Sequence, residues 1–300
     1  MDLKDITIMS WGCATIGGHA DRLAKQLDCP FQQLPSMVLP ETRNILFVGA
    51  FPGDLQKIDS LRPLNNYEIY VLFVGSDVLD LQKAVENKNE NCIRALKGCH
   101  ILCVADHLKV ELEELGIEVE KVITLVPQDI PDVQFENNRK GILVYMPSDL
   151  PFKRNLFRFN EVKRLAESLP EYDFHVYGGS NNEAPYENWY TYETLTPKEE
   201  IKLLSKIILN LRVTRHDGMP QTLIRLAQVG IQSIVSSFES LYMIKVPNDE
   251  KVLEETYKVI KEYGSDDLTG IKKRKELEDM RKYYIDKFST KAMIKKFQEL

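Results

Sequence analysis

The sequence predicts an α/β protein with two Rossmann-like domains, in which two parallel sheets face each other across a ligand cleft. Short apolar segments of strand length alternate with amphipathic helical segments along the whole chain, a pattern typical of parallel sheets with crossover helices. The alternation stops once, at the polar residues 127–140, which include two prolines, and then restarts. We therefore expect domains at residues 1–130 and 141–300, joined by a linker.

The first predicted domain begins with a strand, a glycine-containing loop and a helix. Gly12, Gly17 and Gly18 are expected in the loop, and the helix is expected at residues 19–27. In one interpretation, the backbone amides of this loop and the dipole of the helix hold a phosphate. In the other, the loop is a simple turn that needs small residues. The strand-like segments of this domain are 6–10, 44–50, 68–74, 100–104 and 122–126, and a further helix begins at Asp106.

The second predicted domain repeats the alternation and ends in two charged helices. Its strand-like segments are 141–146, 173–177, 207–213 and 232–236. Its helical segments are 156–169, 197–205, 221–229, 250–263 and 267–300. Ligands of open parallel sheets bind at the carboxyl ends of the strands, so the residues that follow these strands are candidate site residues.

Composition excludes several classes of protein. The chain has 39 basic and 45 acidic residues and a net charge of -6, which argues against non-specific binding to nucleic acid. Its apolar runs are far shorter than the roughly 20 residues of a membrane span, and the N-terminus lacks the apolar core of a signal peptide. The five cysteines, an odd and sparse set, all lie within the first 103 residues; such usage is typical of a reduced, cytoplasmic protein. The basic residues near positions 272–282 alternate with acidic ones, which favours a solvated helix face, and peripheral contact with a membrane stays open.

Several common site motifs are missing from the sequence. Gly18 and His19 stand where a P-loop requires Lys and Ser or Thr, and no G-x-G-x-x-G fingerprint occurs. Cys99 and Cys103 would share one face of a strand while His100 points to the other, so we expect no metal site there.

The most informative segment follows the predicted strand at residues 207–213. We expect Asp217 at the carboxyl end of this strand, facing the cleft, with the amides of Gly218 and Met219 exposed to a ligand oxygen. Pro220 suits the first turn of the next helix. In the alternative interpretation, Asp217 only caps that helix.

The order of these parts resembles the GT-B glycosyltransferases, in particular the large retaining family four ("group 1"), which includes glycogen and sucrose synthases and many mannosyltransferases. That family typically reads E-G-x-P, then four residues, then E-A-x-x-x-G. This chain reads D-G-M-P, then QTLI, then R-L-A-Q-V-G, from Asp217 to Gly230. Four further segments are similar to family motifs: Gly17-Gly18 with Leu23-Ala24, then 145–154, 176–180 with Gly178, and 281–289.

The chain departs from the family pattern at three places. Asp217 replaces the first glutamate, Arg225 replaces the second, and the segment 75–77 stands where the family has a histidine. An arginine cannot accept hydrogen bonds from ribose hydroxyls. We expect Arg225 either to donate to a phosphate or ribose oxygen, or to pair with a carboxylate.

The resemblance implies transfer of a sugar from a UDP- or GDP-sugar to an acceptor hydroxyl, with retention, without a metal and with no cofactor besides the nucleotide-sugar co-substrate. The alternatives are a catalytically silent nucleotide-sugar-binding protein and a GT-B nucleotide-sugar epimerase. The acceptor (a glycan, a lipid or another hydroxyl) and the oligomeric state stay open. The implied catalytic residues are Asp217, His216 and Asp77. The implied donor-binding residues are Lys153, Arg154, Gly17, Gly18, Gly178, Gly218, Met219, Pro220 and Arg225.

Four of these residues have a second interpretation. Lys153 and Arg154, expected on a loop after a strand, either neutralise the diphosphate or form a solvated charge pair. His216 either contacts the sugar or is packed. Asp77 either orients or deprotonates an acceptor hydroxyl, or caps the following helix. His19, outside the implied set, is expected to cap its helix or to contact the acceptor.

Overall fold

The computed structural model describes residues 3–11, 14–35, 38–64, 66–127, 130–147, 150–178, 184–193, 195–265 and 271–300. The chain folds into two compact units. The first unit is Met1–Gln128, Gly218–Gln221 and Phe288–Leu300, and the second is Asp129–Asp217 and Thr222–Lys287. Two short segments from the second half of the chain therefore belong to the first unit. The predicted domain boundaries at residues 130 and 141 stay a prediction.

The first unit contains a six-stranded sheet in which every pair of neighbouring strands is parallel. Its strands are β1 (Ile6–Trp11), β2 (Phe31–Leu34), β3 (Asn44–Val48), β4 (Glu68–Phe73), β5 (His100–Cys103) and β6 (Lys121–Val122). Its connecting helices are α1 (Ala14–Leu27), α2 (Pro52–Leu61), α3 (Ser76–Glu86), α4 (Glu90–Leu96) and α5 (Asp106–Glu114). The strand order is β2-β1-β3-β4-β5-β6.

The second unit contains another parallel six-stranded sheet, in the order β12-β11-β10-β7-β8-β9. Its strands are β7 (Gly141–Tyr145), β8 (Asp173–Tyr177), β9 (Trp189–Tyr192), β10 (Ile207–Arg212), β11 (Gln232–Val235) and β12 (Ile244–Lys245). The helices that follow are α6 (Pro151–Leu156), α7 (Phe159–Ser168), α8 (Pro197–Leu204), α9 (Gln221–Val229), α10 (Val252–Ser265) and α11 (Ile271–Lys287). The predicted α/β class with two parallel sheets is confirmed.

The central strands are apolar because helices cover both faces of a parallel sheet. Every residue of β3 and of β10 is buried. In the second unit, one core cluster joins the sheet to α7 and α10, with Phe174, Leu165 and Ile260 almost fully buried. Within the described residues, no helix is both long enough and apolar enough to cross a bilayer.

Two of the predicted helices begin at different residues in the structure. Helix α1 begins at Ala14 rather than at His19, so Gly17 and Gly18 lie inside a helix and not in a loop. The helix predicted at 156–169 begins at Phe159 as α7, and the separate helix α6 before it was not predicted, because Arg158 adopts a left-handed conformation with φ of 51° between the two. A single left-handed residue ends the α-helical hydrogen-bond pattern.

The predicted C-terminal helix at 267–300 is two helices, α11 and α12 (Thr290–Gln298). Ser289 ends the run because its hydroxyl caps α12 by accepting from the amide of Ala292 at 3.2 Å. Helix α12 belongs to the first unit, where Lys121 pairs with Glu299 at 2.9 Å.

Candidate functional site

The carboxyl end of β10 carries a buried ion pair between Arg212 and Asp217. Nε of Arg212 donates to Oδ2 of Asp217 at 2.7 Å, and the two side chains are 7% and 16% exposed. Burial alone would lower the pKa of Arg212, but the Asp217 carboxylate outweighs burial and the pKa is raised. Asp217 thus lies just beyond the strand, as its position in the sequence predicted, whereas its arginine partner had no sequence signal.

Tyr145 at the end of β7 and Phe157 just after α6 pack against the Arg212 side chain of this pair. The guanidinium carbon of Arg212 lies 4.3 Å from the ring centroid of Tyr145 and 4.9 Å from that of Phe157. Tyr145 ends β7 and Tyr177 ends β8; the two are paired across the strands, with ring centroids 5.3 Å apart. Burial raises the pKa of Tyr177 to about 12 and also raises that of Tyr145, so both phenols are neutral at pH 7. We call Arg212, Asp217, Tyr145, Phe157 and Tyr177 the Arg212 cluster.

Gly178 is required by the packing of this cluster. It has φ of +106°, and a Cβ at this position would overlap the ring of Tyr145. Only glycine satisfies both conditions without strain. The packing explains the glycine, and a donor-binding role for Gly178 stays a prediction. The next residues of the family-like segment, 179 and 180, lie outside the described residues.

Arg225 on α9 pairs with Glu200 on α8. Its Nη1 donates to Oε1 of Glu200 at 2.7 Å, and the two side chains are 30% and 28% exposed. Of the two arrangements expected for Arg225, the structure contains the pair with a carboxylate. Glu200 was not selected from the sequence, where it is one of two adjacent glutamates in the first turn of a helix.

The segment Gly218–Gln221 belongs to the first unit. Gly218 is buried, and a Cβ there would overlap the carbonyl oxygen of Val74, so the close approach requires glycine. Met219 and Pro220 are half-buried, and Pro220 lies immediately before α9 rather than in its first turn. The donor-binding roles of these residues stay predictions. His216, in the second unit beside Asp217, is half-buried.

Lys153 and Arg154 lie within helix α6, so their predicted position on a loop is wrong. Both are half-buried. The guanidinium carbon of Arg154 is 4.4 Å from the ring centroid of the buried Phe159, and Nζ of Lys153 is 5.3 Å from that of Phe152. Arg154 therefore contributes to packing through a cation–π contact, and a contact with a diphosphate stays a prediction for both residues.

His19 is a partly buried residue inside α1, in the turn that follows Gly17 and Gly18. Burial lowers its pKa to about 4, the charge of Arg22 lowers it further, and a hydrogen bond with Gln221 opposes both effects. Nδ1 of His19 lies 2.8 Å from Nη2 of Arg22. Because the imidazole is neutral at pH 7, His19 does not supply a positive charge to a ligand.

Asp77 is fully buried at the start of α3, and its carboxylate accepts only from backbone amides among the described residues. The donors are the amides of Ala50, Val74, Gly75 and Val78, at 2.8–3.1 Å. Burial raises the pKa of Asp77 to about 6, while these hydrogen bonds lower it. The geometry favours the capping interpretation of Asp77 over contact with an acceptor hydroxyl, because a ligand would have to displace these amides.

A second buried carboxylate, Asp54, lies at the start of α2. It accepts from the amide of Trp11 at 2.8 Å and from that of Phe51 at 3.1 Å, which joins the end of β1 to the segment after β3. Burial raises the pKa of Asp54 to about 7, and the nearby charge of Asp77 adds to the effect. In the sequence, Asp54 was marked only by its position: it follows Pro52 and Gly53, shortly after the predicted strand at 44–50.

His100 has partners unrelated to a metal. Its Nδ1 lies 2.8 Å from Oε1 of Glu120, and its ring stacks on Tyr70 with centroids 4.6 Å apart. In the described ranges, no group of three or more His, Cys, Asp or Glu side chains is arranged to hold a metal ion.

Comparisons with known proteins support the fold assignment. No protein-family model matches the chain, and no curated protein matches it by sequence. Among solved structures, Anabaena HepE in complex with UDP-glucose is 8% identical, with a TM-score of 0.73 and 98% of both chains covered. Sucrose-phosphate synthase from Thermosynechococcus elongatus is 10% identical, with a TM-score of 0.71, 98% of this chain and 97% of the synthase covered.

A third similar structure is an S. aureus TarM mutant solved with UDP, which is 13% identical with a TM-score of 0.62. The match covers 85% of this chain and 54% of TarM, so the chain spans about half the length of that protein. The parallel sheets of both units and the matches over nearly the whole of two of these proteins confirm the prediction from the sequence motifs: the chain has the fold of the GT-B glycosyltransferases.

Proposed function

We propose that this protein is a glycosyltransferase that moves a sugar from a UDP- or GDP-sugar to an acceptor hydroxyl, with retention and without a metal. The observation that carries the proposal is the match with HepE, which covers 98% of both chains and whose structure contains UDP-glucose. The motif similarity between Asp217 and Gly230 adds to this argument, because it falls on the end of β10 and on α9.

The second unit supplies the donor site in this proposal. Asp217 accepts hydrogen bonds from sugar hydroxyls at the carboxyl end of a central strand, where ligands of parallel sheets bind. Lys153 and Arg154 on α6 stabilise the negative charge that develops on the departing diphosphate. Fixed cations of this kind do the work that a bound magnesium ion does elsewhere. Gly178 shapes the backbone around the donor in this unit. Gly218, Met219 and Pro220 belong to the first unit, and their implied donor-binding role stays a prediction.

The first unit supplies the acceptor side, and its acceptor class stays open between a glycan, a lipid and another hydroxyl compound. Asp77 is proposed only to organise the backbone here, because its carboxylate is fully buried. The described cysteines are free thiols, which supports action in a reducing compartment such as the cytoplasm; they are Cys29, Cys92, Cys99 and Cys103.

The test is turnover of purified protein with a panel of UDP- and GDP-sugars and simple glycan or lipid acceptors. We expect release of UDP or GDP from one donor, and NMR of the product should show the anomeric configuration of the donor retained. The variant Asp217→Asn keeps an oxygen for Arg212 but loses the charge, and we expect it to lower kcat by about 100-fold or more. A product of inverted configuration would refute retention.

A catalytically silent nucleotide-sugar-binding protein is the second candidate. The observation that favours it is Arg225, which stands in place of a carboxylate and is already paired with Glu200 at 2.7 Å. In that case a donor would raise the melting temperature of the protein while no nucleotide is released from any donor of the panel. If no donor of the panel gave either turnover or a thermal shift, both candidates would be contradicted.

A further inference from the structure

We propose that Arg212 is a positioning residue of the donor site, which holds the carboxylate of Asp217 in the orientation that the sugar hydroxyls require. This inference rests on the proposed function. It assigns a role to a residue that lies inside the apolar β10 pattern, where neither the sequence motifs nor the comparisons place a functional group.

The position of the Arg212 side chain is fixed from several directions. Its backbone is paired with Val235 of β11 in the middle of the parallel sheet. Its guanidinium lies close to the ring centroids of Tyr145 and Phe157, at 4.3 and 4.9 Å. The ring of Tyr145 in turn packs against that of Tyr177, with the two ring centroids 5.3 Å apart. A buried guanidinium packed against two aromatic rings that also contact each other has little freedom to move, so it is a rigid support for a carboxylate.

The rigid Arg212 side chain donates its hydrogen bond to Asp217. Within the described part of the chain, its only side-chain hydrogen bond is the one from Nε to Oδ2 of Asp217, at 2.7 Å. Asp217 follows the last residue of β10 by five positions and lies outside regular secondary structure. A carboxylate in such a segment has several rotamers available, and the ion pair selects one of them.

Stability alone is a weak reason for this arrangement. Burying two charges costs several kcal/mol per ion, and replacement of a buried pair by apolar side chains is often neutral or stabilising. Only 7% of the Arg212 side chain is exposed, so the desolvation cost is large. A pair that is expensive to bury, next to a strand end where ligands bind, is better explained by orientation of the partly exposed Asp217.

The expected effect falls on turnover and not on nucleotide affinity. A reacting group displaced by about 1 Å costs on the order of 100-fold in rate. We therefore expect Arg212→Gln to lower kcat by about 10- to 100-fold while the Kd for UDP changes less than about threefold. Arg212→Lys keeps the charge but not the planar group that packs against the rings, so it should recover part of kcat.

The test compares wild type with Arg212→Gln, Arg212→Lys, Asp217→Asn and the double variant Arg212→Gln/Asp217→Asn. The quantities measured are kcat, the KM for the donor, the Kd for UDP by calorimetry and the melting temperature of each protein. If Arg212 acts through Asp217, the double variant has the same kcat as Asp217→Asn alone. Arg164→Gln, at an exposed arginine on α7, is the matched control and should leave all four quantities unchanged.

Three results would overturn the inference. A kcat of wild-type size in Arg212→Gln would show that the arginine does not position a reacting group. If Arg212→Gln lowered kcat by the same factor in the Asp217→Asn variant as in wild type, its effect would be structural and independent of Asp217. A tenfold or larger loss of UDP affinity in both arginine variants would show a direct phosphate contact. An inactive wild-type protein would instead refute the proposed function, and the inference with it.

Discussion

Arg225 on α9 donates through Nη1 to Oε1 of Glu200 on α8 at 2.7 Å, so a carboxylate from another helix lies beside the arginine that replaces the second glutamate of the family motif. In the sequence alone, an arginine at this position removes an acceptor for ribose hydroxyls. In the folded protein a carboxylate is again next to it. The pair is partly solvated, so its own contribution to stability is modest, at about 1 kcal/mol or less.

The first prediction concerns how these two residues act on the nucleotide. We expect Arg225→Ala and Glu200→Ala each to weaken UDP binding, and the double variant to be no weaker than the stronger single effect, because one residue acts by holding the other. Titration calorimetry with UDP measures all three. Glu199→Gln, which keeps the capping role of the neighbouring glutamate, is the control. Additive losses would show that Arg225 contacts the nucleotide independently of Glu200.

The second prediction is that Lys153 and Arg154 bind the donor diphosphate. A charged hydrogen bond is worth about 1.5–3 kcal/mol, so the double variant Lys153→Ala/Arg154→Ala should lose tenfold or more in affinity for UDP and for GDP. The Arg154 contact with the Phe159 ring predicts a lower melting temperature as well. Uridine, which lacks phosphates, should bind the wild type and the double variant equally. Unchanged UDP affinity would refute the assignment.

The third prediction is that turnover does not need a metal ion. In the proposed function, Lys153 and Arg154 take the role of a divalent cation in stabilising the leaving group. Activity with the best donor should therefore be the same in excess EDTA as in magnesium or manganese. A reaction that stops in EDTA and resumes when either metal is added would contradict this prediction.

The fourth prediction follows from the buried carboxylate of Asp54. Burial raises its pKa from 3.8 to about 7, so the folded state binds this proton more tightly than the unfolded state. The contribution of Asp54 to the free energy of unfolding is therefore largest below about pH 4 and is lost as the pH rises through 7. At about 1.4 kcal/mol per pKa unit, wild type should lose about 2–3 kcal/mol relative to Asp54→Asn between about pH 5 and pH 8.

Urea unfolding of both proteins across this pH range measures the effect. The difference between the two proteins removes the contribution of other titrating groups, such as His175, whose pKa burial lowers to about 4. Asp21→Asn, at a solvent-accessible carboxylate paired with Lys25, serves as the control and should follow wild type. A difference between wild type and Asp54→Asn that does not change with pH would contradict the raised pKa.

The fifth prediction concerns the glycine at the end of β8. Gly178→Ala should lower the free energy of unfolding through its φ of +106° and through overlap of the new Cβ with the Tyr145 ring. The first cost is about 1–2 kcal/mol, and the overlap adds about 1–3 kcal/mol. Gly230→Ala isolates the first cost, because Gly230 has φ of +92° and open space where a Cβ would lie. Equal destabilisation of the two variants would show that Tyr145 moves aside without cost.

The sequence was sufficient for the fold class because the central strands of a parallel sheet are buried on both faces. Strands β3, β4 and β10 are largely apolar, buried runs, and they are among the strands that the sequence predicted. The edge strands β2 and β9 were missed, since FQQL and WYTY are partly exposed and mix polar with apolar residues. An edge strand forms because it pairs with one neighbouring strand, so its own composition is a weaker signal than that of a central strand.

The sequence also located Asp217 and Gly218, because their spacing between a strand and a helix is local and resembles a family motif. Only the tertiary structure decided what they touch. Arg212 is the last residue of a mostly apolar strand, and Glu200 is 25 positions from Arg225. An ion pair between separate elements depends on strand order and helix packing, which leave no periodic trace in the sequence. The chain itself thus determined where its strands end, and the packing determined which charges meet there.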